Sequence, residues 1–143
     1  MPPYQHLLAA IVFDDAGLAV LDRAHVLAQH FGARLSLLHV IEYTPIESGE
    51  LLMTTPYDVT QQLEEEARGK LLALCRKQNL PEDCAHVSTG TVVTQIEQLV
   101  QKQGVDLVIV GHQPRKGLAA WLSHTEDNLV HRAPCDVLAL RLR

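Results

Sequence analysis

Clustered basic residues are lacking. Lys and Arg number 12 against 17 Asp and Glu, the net charge is -5, and "PRK" (Pro114 to Lys116) is too short to count as a patch. A broad nucleic-acid-binding face needs many such charges to displace counterions, so none is expected. Cysteines are scarce too: Cys75, Cys84 and Cys135 are odd in number and form no CxxC motif. That pattern suits reduced thiols in a cytoplasmic protein better than a disulfide framework. The first apolar run, Leu7 to Phe13, has only seven residues before two aspartates. It is too short for a membrane span or a signal peptide and reads as a buried strand.

Motifs for chemistry are also missing. The eight histidines make no HExxH or HxxxH spacing, and no metal is expected, although His112 and His124 could converge near the carboxyl end of a sheet. There is no G-x-S-x-G elbow, and neither Ser88 nor Ser123 has a neighbour that spacing identifies as its base. We therefore expect no enzyme and no catalytic residue. Trp121 is the only tryptophan; it either fills space beside the sheet or closes over a ligand or partner.

What is present is a chain of 143 residues, 47% apolar and 20% charged, enough for one domain (1–143) with a single core. Apolar runs lie at Leu7 to Phe13, Arg34 to Ile41, Asp106 to Val110 and Cys135 to Leu142, with a weaker one at Cys84 to Ser88. Continuous apolarity of this length suggests strands covered on both faces. Helical periodicity falls between them. Leu18, Leu21, His25 and Ala28 share one face before a stop at Gly32. Leu63, Ala67, Leu71, Leu74 and Cys75 follow a cap-like Asp58 to Gln61. Val92, Ile96, Leu99 and Val100 make a third stripe, and a short helix from about Ser123 ends before Pro134. The order β-α-β-α-β-α-β-α-β predicts a single-domain α/β fold with a mainly parallel sheet. The connection from Glu42 to Tyr57, sixteen residues with two prolines and a glycine, is long for this class and is expected to be the most mobile internal segment.

With that order in place, nearly the whole chain resembles the universal stress protein A family. The residues that carry the likeness are "HLLAAI" (6–11), "RAHVLAQHFGARLSLLHVIE" (23–42), "GVDLVIVGH" (104–112) and "VHRAPCDVLAL" (130–140). The resemblance implies a Rossmann-like, five-stranded sheet of order 3-2-1-4-5, a cytoplasmic homodimer and a role in stress responses. Some members bind ATP through G-x2-G-x9-G-[S/T] after strand 4, whereas a subgroup nearer the type member lacks the complete motif. Here Gly111 matches the first glycine, Pro114 and His124 replace the other two, and Thr125 keeps the hydroxyl.

Proline has no N–H to offer a phosphate and histidine adds bulk. Ser123 to Glu126 reads as a capping box, and with Asp127 it sets acids where a triphosphate would approach. Counting back from helix 1, Val12 stands where ATP-binding relatives place a nucleotide-contacting aspartate, and Asp14 or Asp15 caps the helix instead. The expectation is a degenerate nucleotide site with no cofactor, whose remaining matches to the adenine- and phosphate-side positions are Val40, Gly111, His112 and Thr125. Arg115 and Lys116 read as solvated loop charges, His39 as a strand histidine common in the family, and Cys135 as a small apolar residue. The alternative is an ATP-binding member with an altered phosphate loop and slow hydrolysis or autophosphorylation.

The implied order puts the last strand at a sheet edge. Val137, Leu138, Ala139 and Leu140 form its uninterrupted centre, with little to block pairing with another strand. A homodimer joined through these four residues is expected. No nucleic acid or membrane partner is expected, and the sequence names no protein partner.

Overall fold

The computed structural model describes residues 4–42, 56–112 and 129–142. Its centre is β1 (His6–Ala10), which pairs in parallel with β2 (Arg34–Glu42) on one side and β4 (Leu107–His112) on the other. The outer strands, β3 (Ala85–Gly90) and β5 (Asp136–Arg141), pair in parallel with β2 and β4. The sheet therefore has the order β3-β2-β1-β4-β5, as the family resemblance implies.

The apolar run of β1 hides a period of two. Leu7, Ala9 and Ile11 enter one core cluster, with Val20, Leu21, Ala24 and Ala28 of α1 (Asp15–Phe31) and Leu71 and Cys75 of α2 (Pro56–Lys77). Leu8 enters a second, with Leu38, Val108, Val110 and Val93, Ile96 and Val100 of α3 (Val92–Gln103). Successive strand side chains point to opposite faces, so a central strand is apolar at nearly every position. Each fully buried Leu or Val contributes about 1.5–3 kcal/mol of transfer free energy, which fixes the register of β1 against both neighbours.

Helix details differ from the expected stripes. On α1 the buried positions include Val20 and Ala24, while Leu18 is exposed. Residues Val20, Ala24 and Ala28 lie at four-residue intervals along the face that meets β1. α2 starts at Pro56, two residues before the expected cap at Asp58. A proline at the first helical position loses no intrahelical bond and has φ already set. Leu63 is exposed, whereas Ala67, Leu71 and Cys75 carry the contact. Residues 129–132 are helical, and the expected start of that helix near Ser123 lies outside the described residues. Nearly all of the connection between Glu42 and Tyr57 lies outside them as well.

Candidate functional site

The strand order reverses at β1, with β2 on one side and β4 on the other. In an open α/β sheet, ligands bind in the crevice beyond the carboxyl ends of the strands at such a reversal. Here Ile11 and Val12 follow β1, Val40 to Glu42 end β2, and Gly111 and His112 end β4. Three of the four expected site residues thus lie along this rim; Thr125 lies outside the described residues, as do Pro114 to Lys116, Trp121 and Ser123 to Asp127.

The turn from β1 into α1 supplies its own anion. Asp14 is the N-cap, and its Oδ1 accepts the N–H of Gly17 at 2.8 Å. Asp15 adds a second carboxylate in the first turn. Both suit the positive end of the helix dipole, and both would repel a phosphate there. Gly17 is held by the same turn, because a Cβ would sit 1.6 Å from the carbonyl oxygen of Val12. Val12 is 47% exposed and offers a ligand only methyl groups.

On β2, the His39 ring places Nδ1 2.8 Å from the Ile11 carbonyl oxygen. A carbonyl only accepts, so Nδ1 carries the proton and, in the neutral ring, Nε2 is the acceptor. The ring packs on Phe13 with centroids 4.2 Å apart. Lys70 Nζ lies 5.5 Å from the Phe13 centroid, within cation–π range. Val40, half-buried, is in register with Ser88 of β3. The Ser88 hydroxyl is buried and has no hydrogen-bond partner among the described residues, so none of these is placed as its base.

Gly111 has a packing role of its own. A Cβ there would come within 2.7 Å of Leu142 Cδ1 and 2.8 Å of Val20 Cγ2. Its lack of a side chain lets α1 and the end of β5 close over β4. His112, also half-buried, is in register with Arg141. Among the described residues, no group of three or more His, Cys, Asp or Glu is arranged to hold a metal ion.

A sequence model described as "Universal stress protein family" matches residues 3–141. The chain belongs to the universal stress protein family. It is 34% identical to universal stress protein A homolog 1 of Coxiella burnetii, over 98% of each chain. Its fold matches that of the universal stress protein UspA from Lactobacillus plantarum with a TM-score of 0.71 and 21% identity, covering 96% of this chain and 98% of the other. A universal stress protein crystallised in complex with cAMP matches with a TM-score of 0.58 and 20% identity, covering 96% of each chain.

In this family member two further side-chain clusters lie away from the crevice, and sequence reasoning found neither. At the amino end of the sheet, His6 Nε2 lies 2.7 Å from Ser36 Oγ, and His6 Nδ1 lies 3.2 Å from the Gln103 carbonyl oxygen. Asp106 accepts the backbone N–H groups of Gln5 and His6. Burial is the main influence on His6 and lowers its pKa. The His–Ser contact has the geometry of a base and a nucleophile, but both residues are buried at the wrong end of the sheet for substrate, so it acts as a latch between strands. Ser36 inside an apolar run and His6 just before one were its only sequence signal.

The second cluster is Cys75 and Cys84, which meet under α2. Cys135 is half-buried among apolar neighbours, and burial pushes its thiol pKa up. That favours the protonated, unreactive form.

Proposed function

We propose that this universal stress protein acts as a cytoplasmic homodimer in stress responses, through binding contacts rather than catalysis, and that its nucleotide crevice is degenerate. One observation carries the reading. The helix N-terminus in the crevice is already capped by Asp14, beside an exposed Val12 at the position of the relatives' aspartate. Pro114 and His124 add to it by their chemistry, since neither supplies what a glycine phosphate loop needs. The odd cysteine count supports the cytoplasmic assignment. The dimer is supported by the position of β5 at a sheet edge and by the contact that two such edges can make across a two-fold axis.

A second reading keeps adenine nucleotide binding through an altered loop, with ATP and slow hydrolysis or autophosphorylation, or with a cyclic nucleotide such as the cAMP held by one relative. It is favoured by the convergence of Val40, Gly111 and His112 on the crevice rim. Native mass spectrometry of protein purified without added nucleotide separates the two. The first reading expects the mass of a bare dimer, before and after incubation with ATP or cAMP. A stoichiometric nucleotide adduct supports the second, and a monomer contradicts the proposed assembly.

A further inference from the structure

Cys75, near the end of α2, and Cys84, closing the 3-10 turn Glu82–Cys84, bring their sulfurs within 3.3 Å of each other. The chain between them doubles back: the Leu80 N–H donates to the Cys75 carbonyl at 2.8 Å, and Asn79 takes a left-handed φ of 58°. A disulfide bond is about 2.05 Å long, so roughly 1.3 Å of approach remains, within reach of small side-chain rotations. The two thiols differ in access. Cys84 is 6% exposed and forms part of the wall of a cleft of about 270 Å³, whose rim includes His25, Gln29, Arg34, Pro81 and Asp83. Cys75 is fully buried behind it and does not line the cleft.

We propose that Cys75 and Cys84 are a hydroperoxide-oxidisable dithiol, with Cys84 attacked first and Cys75 resolving it to an intramolecular disulfide that ties the end of α2 to the start of β3. In the first step the Cys84 sulfur, as thiolate, attacks one oxygen of hydrogen peroxide. An S–O bond forms, the O–O bond breaks, and the departing hydroxide takes up a proton to become water. In the second step the Cys75 sulfur attacks Cys84. The S–S bond forms, the S–O bond breaks, and the leaving hydroxide takes the Cys75 proton. Two thiols have lost two electrons, and one peroxide has become two waters.

The surroundings set the speed. Burial, the neighbouring Cys75 sulfur and Asp83 push the Cys84 pKa up to about 12. Only the thiolate attacks, so the pair is slow at neutral pH and answers a sustained oxidant load rather than a trace. Well below that pKa, the thiolate fraction and the rate rise about tenfold per pH unit.

The test treats the full-length protein with hydrogen peroxide, quenches it with an alkylating agent in denaturant, and maps the peptides by mass. The expected product carries a linked Cys75–Cys84 peptide about 2 Da lighter than the two reduced peptides together, and is alkylated at Cys135. A Cys135→Ala variant forms the same link at the same rate. A sulfenic-acid trap labels Cys84 in Cys75→Ala and leaves Cys75 unlabelled in Cys84→Ala. The wild-type map needs no variant to fold. A link to Cys135, full alkylation of Cys75 and Cys84 after oxidation, or the opposite trapping pattern would overturn the proposal.

Discussion

At Asp14 the protein caps the N-terminus of α1, the carboxylate accepting the Gly17 N–H. That bond contributes to the stability of the helix end. Asp14→Ala is expected to lower unfolding free energy by about 0.5–2 kcal/mol, seen as a lower urea midpoint, whereas Asp14→Asn keeps most of it. An unchanged midpoint for the alanine variant would show that the cap contributes nothing. His6 makes a second residue-level prediction. Its pKa is lowered in the folded state, mainly by burial, and that of His86 is lowered for the same leading cause. The unfolded chain therefore binds more protons below the ordinary histidine value near 6.5. The stability contributed by the neutral rings is fully present above that pH and is lost as pH falls through the folded values. Urea midpoints should decline between neutral and mildly acidic pH, and His6→Gln should flatten part of that slope. A midpoint that rises on acidification would reverse the sign and refute the account.

At the scale of elements, the strands were legible because parallel central strands are apolar at nearly every position. The runs around Leu8, Leu37 and Val108 stand out for that reason and indicate a parallel sheet, while its strand order was legible only through the family resemblance. Helix faces were less legible. Small residues such as Ala24 and Ala28 make the closest contacts on α1 while carrying a weak hydrophobic signal, and Leu18 carries a strong one yet is exposed. At the candidate site, the helix cap could be narrowed to Asp14 or Asp15 by counting from α1, and the fold decides it for Asp14. The His6–Ser36 latch and the Cys75–Cys84 contact could not be read, because each joins elements whose apposition only the folded sheet decides. β5 shows the same limit. Its four central residues look equivalent in the sequence, but Leu140 is buried in the core cluster with Val20 and Ile109, while Ala139 is exposed. Leu140→Ala is expected to cost about 2–5 kcal/mol in unfolding free energy, as a core truncation does. A denaturation curve matching that of the wild type would place Leu140 outside the core.

For the whole molecule, that distinction decides how assembly is tested. A lysine at Leu140 would break the monomer, so the informative position is Ala139, exposed in the middle of the edge strand. Ala139→Lys adds a charge of the kind that protects natural edges, and a two-fold seam would bring it close to its own copy. Sedimentation at micromolar concentrations should show a dimer for the wild type and a shift toward monomer for Ala139→Lys, with both unfolding at similar urea concentrations. A monomeric wild type, or a variant that remains fully dimeric, would remove β5 from the interface.

The proposed degeneracy of the crevice rests on Asp14 capping α1 and on Val12 standing exposed beside it. Titration calorimetry with Mg-ATP tests it most directly. The account predicts no saturable heat with the protein and ATP at micromolar concentrations. A saturable one-to-one complex in that range would contradict it.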